Sequence, residues 1–124
     1  METQNQANVW LSTFYSHIDS MDMDMFLSYC DENIVVQFAN NPVSIGKQQV
    51  KSDISTFWSM LHKMEHTFQN VYIDDNHLLL EANITYTLKQ GKSVVVPCLS
   101  VITRSGDLVK SLKIFIDLNP LFQQ

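Results

Sequence analysis

The stretch Leu78-Leu79-Leu80-Glu81-Ala82-Asn83-Ile84-Thr85-Tyr86-Thr87-Leu88 decides the fold. It alternates with period two: Leu78, Leu80, Ala82, Ile84, Tyr86 and Leu88 share an apolar face, and Leu79, Glu81, Asn83, Thr85 and Thr87 share a more polar one. Turn residues bracket it, with Asp74-Asp75-Asn76 before and Gln90-Gly91 after, and Ser105-Gly106 marks a third turn. Three hairpins imply four neighbouring antiparallel strands, running from His66 to the closing segment Lys113-Ile114-Phe115-Ile116-Asp117-Leu118-Asn119-Pro120-Leu121. Val94-Val95-Val96 and Ile114-Phe115-Ile116 are apolar on both sides, the pattern of strands covered on both faces.

Upstream of Glu65 the apolar spacing is helical. Trp10, Phe14, His17 and Ile18 form one stripe and predict a helix from about Asn8 to Ile18, leaving residues 1–7 as a flexible tail. A shorter helix is expected from about Asp22, with Ser20 and Asp22 as cap candidates and Asp24 in the first turn. Met23, Phe26, Leu27 and Cys30 make its buried side. Ile34-Val35-Val36-Gln37-Phe38 reads as a short strand ending at the turn Asn40-Asn41-Pro42. After Gly46, a third helix is predicted over about Lys47 to Met64, carrying Val50, Ile54, Phe57, Trp58 and Leu61, with Trp58 as core anchor. Helices followed by a meander of strands give an α+β order, with the sheet burying one face against three N-terminal helices. Those helices cover a single face, so a homodimer through the outer sheet face is expected, with a loop or tail of the same chain as the alternative cover.

A chain of 124 residues makes one domain, spanning 1–124, that buries roughly two-thirds of its unfolded surface. The net charge of −5, with eight scattered Lys and Arg, offers no basic stripe for phosphates or anionic lipid, so neither nucleic acid nor membrane is an expected partner. No secretory signal or membrane-length apolar run is visible, and a cytoplasmic location is expected. Cys30 and Cys98 stand far apart without metal-ligand spacing and read as free buried thiols. The Asn83-Ile84-Thr85 glycosylation pattern lies within a strand and reads as chance.

Phe38-Ala39-Asn40-Asn41-Pro42 with Gly46, His66, Glu81 with Thr85-Tyr86-Thr87, Gly91 with Pro97, and Phe115 to Leu121 are the specific pieces of a wider pattern. Together they resemble the nuclear transport factor 2-like superfamily, in its SnoaL-like, ketosteroid-isomerase-like branch. The resemblance covers nearly the whole chain and implies a cone-shaped α+β barrel, a curved sheet around a pocket closed by the helices, usually dimeric through the outer sheet face. It does not select an activity, since one such fold hosts many. Set against ketosteroid isomerase, the base position falls on Asn41, the aspartic acid position on Ser100 and the tyrosine position on Phe14, so none of the three catalytic groups is matched. The epoxide-hydrolase pattern also fails, because its last-strand aspartate would fall at Ile114 instead of Asp117.

The candidates that remain are few. His66 can serve as acid, base or donor in an apolar cavity, or simply be a satisfied histidine at a strand start. The resemblance turns Glu81 toward the cavity as a partner for His66; the other reading faces it to solvent. Asp117 is the third catalytic candidate, though it can equally bond turn amides and fix the tail. Asn40, Asn41, Tyr15, Asn83, Ser100 and Trp58 are the expected ligand contacts, with Asn40 and Asn41 equally suited to a turn. No metal site and no cofactor are expected. The leading reading is a cofactor-independent acid–base enzyme performing isomerisation, cyclisation or dehydration on a small apolar or ring-containing molecule. The rival is a non-catalytic ligand-binding or protein-interaction domain, which Glu81 out of reach of His66 would favour.

Overall fold

The computed structural model describes residues 2–123. Its elements are α1 (Gln4–Asp19), α2 (Met23–Ser28), β1 (Cys30–Phe38), β2 (Ser44–Ile45), α3 (Lys47–Trp58), β3 (Leu61–Asp74), β4 (His77–Leu88), β5 (Ser93–Ser105), β6 (Leu108–Ile116) and α4 (Asn119–Phe122). The sheet runs β2-β1-β6-β5-β4-β3 and does not close into a barrel. β3 to β6 form the expected antiparallel meander, whereas β1 joins β6 in parallel, Val36 opposite Leu112 and Phe38 opposite Ile114. The sheet is therefore mixed, because the chain returns from β1 through α3 and the meander before reaching it again. The architecture is α+β, as the order of helices and strands implied, and the sheet is curved, as the resemblance implied, but it is open and not a barrel.

Alternation sets the layers. Leu78, Leu80, Ala82, Ile84, Tyr86 and Leu88 are buried against the helices, joined by Val96, Cys98, Ser100 and Ile102 of β5 and by Val109 and Leu112 of β6. Each fully buried Leu or Ile contributes about 1.5–3 kcal/mol of transfer free energy. α1 lies over β3 and presents Ala7, Leu11, Phe14, Tyr15 and Ile18 to this core. Among the described residues no helix is long and apolar enough to cross a membrane.

Four boundaries differ from the expectation, the first being that β1 begins at Cys30, a residue expected on the second helix, instead of Ile34. α1 begins at Gln4 because Thr3 and Gln6 form a reciprocal capping box, and Glu2 pairs with Arg104, so residues 2–7 are not a tail. Met1 lies outside the described residues. α3 stops at Trp58, and β3 already begins at Leu61. A bulge between Leu61 and Lys63 turns both Leu61 and Met64 inward, so a strand mimics the three-residue spacing of a helix. His66 consequently sits well inside β3 and does not open it. Asp22 caps α2 as expected, accepting from the Met25 amide, and both cysteines are free and buried.

Candidate active site

Between α1, α3 and the concave face of the sheet lies a hollow of about 50 Å³, lined by Tyr15, Phe57, Trp58, His66, Tyr86 and Ser100 together with aliphatic side chains. His66 reaches it because β3 alternates Met64, His66 and Phe68 inward before its second bulge, between Phe68 and Asn70. Asp19, the last residue of α1, lies against the same strand. Its Oδ1 is 2.5 Å from His66 Nδ1, and its Oδ2 accepts the His66 backbone N–H at 2.9 Å. The His66 side chain is 8% exposed and that of Asp19 24%.

This geometry fixes the imidazole. A carboxylate only accepts, so the proton on the short bond belongs to Nδ1, and the neutral ring presents an unprotonated Nε2. Asp19 does not line the hollow, whereas His66 does. Anchoring through both carboxylate oxygens holds the ring against rotation. The Tyr15 ring lies beside it, tilted by 50°, with ring centroids 4.6 Å apart.

Burial raises the Tyr15 phenol well above the ordinary tyrosine value; the hydrogen-bonded Ser100 side chain partly offsets this, and Cys98 and Asp19 reinforce it. Desolvation raises the Tyr86 phenol likewise, with smaller contributions from Cys98, Tyr15 and Asp19. Both phenols therefore keep their protons and act as donors at any ordinary pH. The hollow combines one fixed imidazole, two phenols and a hydroxyl inside an apolar wall. That set can move one proton and hydrogen-bond one oxygen of a ligand.

Of the residues named from the sequence, His66, Tyr15, Ser100 and Trp58 line the hollow together. Glu81 and Asn83 are not. They occupy the opposite face of β4, where Glu81 is exposed and accepts from Asn70 Nδ2 at 2.6 Å, and Asn83 lies across from Pro97. The alternation of β4 forbids Glu81 and Ile84 from sharing a face, so the cavity-facing reading of Glu81 is corrected. Asp117, Asn40 and Asn41 are also apart from His66. They line a separate outer cleft of about 400 Å³, where Asp117 Oδ1 accepts the Asn119 amide and fixes the turn into α4. Asp19 is the residue the sequence reading missed. It lies one helical turn after Tyr15, which places the two on one face, but its pairing with a residue 47 positions away is a tertiary contact. Among the described residues, no three His, Cys, Asp or Glu side chains gather as metal ligands.

The family model for the SnoaL-like domain matches residues 11–112, most of the chain and every element of the site. The chain belongs to the SnoaL-like domain family. Solved structures agree on the fold. A protein from Jannaschia sp. CCS1, given the name of a SnoaL-like polyketide cyclase, is 17% identical with a TM-score of 0.81, over 94% of this chain and 88% of its own. A ketosteroid-isomerase-like fold from Catenulispora acidiphila, crystallised with trimethylamine, is 14% identical with a TM-score of 0.79, covering 88% and 85%. TerC, crystallised with polyporic acid, is 10% identical with a TM-score of 0.80, covering 91% and 92%. At these identities the likeness is one of fold. No curated relative matches the sequence.

Proposed function

We propose that this SnoaL-like protein is a cofactor-independent acid–base enzyme acting on a small, ring-containing molecule, with His66 as proton carrier and Asp19 as its positioning partner. The observation that carries this reading is the 2.5 Å contact from Asp19 Oδ1 to His66 Nδ1, on a ring that lines the apolar hollow and whose Nε2 is outside that contact. In the step envisaged, Nε2 takes a proton from a carbon beside a carbonyl, and the electron pair moves onto the carbonyl oxygen. The phenol of Tyr15 donates a hydrogen bond to that oxygen, and Asp19 stabilises the imidazolium. Return of the proton to a different carbon is an isomerisation. Its delivery to a departing hydroxyl, which leaves as water, is a dehydration. Small ligands in two structures of the same fold support a small-molecule occupant.

The test is deuterium incorporation, followed by proton NMR, at the carbon beside the carbonyl of small cyclic ketones in D2O. His66→Ala is expected to slow protein-catalysed exchange about 10²–10⁴-fold, the usual range for a lost general base. Equal exchange by His66→Ala and the native protein contradicts the assignment. The second reading, a binding domain without chemistry, is favoured by Glu81 lying out of reach of His66 and by the amide of Asn41 where ketosteroid isomerase has its base. Exchange no faster with native protein than in buffer would establish it.

The protein is further proposed to pair through its outer sheet face. The support is the exposure there of Val95 (63%), Phe115 (58%) and Tyr72 (51%), with Leu99 lying directly across from Phe115.

A further inference from the structure

The hollow is too small for the ligand class just proposed. At about 50 Å³ it holds a few water molecules, whereas a dry cavity that accepts benzene measures about 150 Å³. Full burial of a ring against His66 therefore requires part of the wall to give way, and interiors are too densely packed for the displaced group to enter the core. The wall must move into space that is already open.

Among the described residues, Phe57 meets that condition on both of its outer sides. It lines the hollow, the outer cleft of about 400 Å³ beside Asn40 and Asp117, and a second cleft of about 390 Å³ beside Pro42 and Ser44. Its ring packs edge-on against Phe38 at 4.8 Å and against Tyr86 at 5.5 Å, so a single aromatic layer separates the hollow from the clefts. Phe57 also sits in the last turn of α3, a helix with only Val50 fully buried and no side-chain cap at Gly46. Its neighbours Ile54 and Trp58 are, like Phe57, only partly buried against the core, so a shift of the ring displaces no fully buried side chain of that turn.

We infer that Phe57 is the partition that sets how many rings the site admits: a ligand reaches His66 by turning the Phe57 ring into the outer clefts, which then hold the remainder of the molecule. The inference rests on the small-molecule reading above and adds a size rule to it. One ring requires a small displacement, and two fused rings require the partition to open fully. Asn40, Asn41 and Asp117, remote from the chemistry, then touch the part of the ligand left outside, which gives the rim residues a binding role without a catalytic one.

The experiment is isothermal titration of phenol and 2-naphthol into native protein, Phe57→Ala and Phe57→Leu, with circular dichroism to establish folding. The readout is the ratio of the naphthol to the phenol dissociation constant, in which any weakening common to both probes cancels. The ratio is expected to fall at least tenfold in Phe57→Ala and by an intermediate factor in Phe57→Leu; if the alanine variant does not fold, the leucine variant decides. A ratio within twofold of native in the folded variant overturns the inference, as does failure of both probes to bind any form. His66→Asn is expected to keep the native ratio while losing proton exchange. A ratio that responds to Phe57 in a protein that catalyses no exchange would preserve the partition and remove the acid–base reading.

Discussion

The two faces of β4 are built from interleaved residues of one segment, yet they belong to different environments. Leu80, Ile84 and Tyr86 point into the layer that holds the core and the hollow, while Glu81, Asn83 and Thr85 point outward. A step of one residue therefore separates a side chain that supports the site from one that cannot touch it. The strand's period outranks the chemical attraction of any single residue: Glu81 has catalytic chemistry and stands on the wrong face, whereas Ser100 has modest chemistry and stands on the right one.

The most forceful way to break this comparison is to truncate neighbours. Leu80→Ala is expected to lower the unfolding free energy by about 2–5 kcal/mol, and Glu81→Ala to change it by no more than about 0.5 kcal/mol. Urea unfolding read by tryptophan fluorescence measures both, and similar changes at the two positions would remove the distinction between faces. A smaller effect tests what the outer face is for. If it is a self-pairing surface, the native protein sediments as a dimer and Phe115→Glu weakens association by about 30-fold or more, corresponding to loss of a roughly 2 kcal/mol aromatic anchor. Monomeric native protein at every accessible concentration would leave that face a plain solvent surface.

Inside, the thiols report the dryness of the core. Burial pushes the Cys30 thiol up to about 12 and raises that of Cys98, so both resist alkylation by iodoacetamide at pH 8 until the protein unfolds. Because the folded value of Cys30 lies above the unfolded one, its contribution to stability is complete below about pH 8.5 and is lost as pH rises toward 12. Cys30→Ala is expected to flatten that alkaline decline in the urea midpoint; an unchanged slope would argue that water reaches the thiol. The smallest effect belongs to half-buried Asp31, whose hydrogen bond from Lys110 holds its carboxyl below the usual carboxylate value. Its contribution is present above the unfolded value and disappears as pH falls through the folded one, so Asp31→Asn is expected to reduce acid-side sensitivity only slightly.

Much of the architecture was legible because it follows from local pattern. The period of two in residues 78–88, the turn at Gln90-Gly91 and the cap at Asp22 each act within a few residues. The end of α3 was not legible for a related reason: the bulge at Leu61 reproduces helical spacing inside a strand, and only pairing with β4 distinguishes the two. The site was half legible. His66, Tyr15, Ser100 and Trp58 could be named from residue type and resemblance, but Asp19 gains its role from the way α1 crosses β3. The partition formed by Phe57 was illegible on the same grounds, since an aromatic at helical spacing looks like core whichever spaces it divides.

The proposed site stands on Asp19 holding the His66 proton on Nδ1 and leaving Nε2 bare. Long-range proton–nitrogen NMR of the histidine rings near pH 8, in native protein and in Asp19→Asn, tests it most directly. A neutral His66 ring protonated at Nδ1, with that preference weakened in Asp19→Asn, is the expected result. A ring protonated at Nε2, or one whose tautomer is indifferent to Asp19, would contradict it.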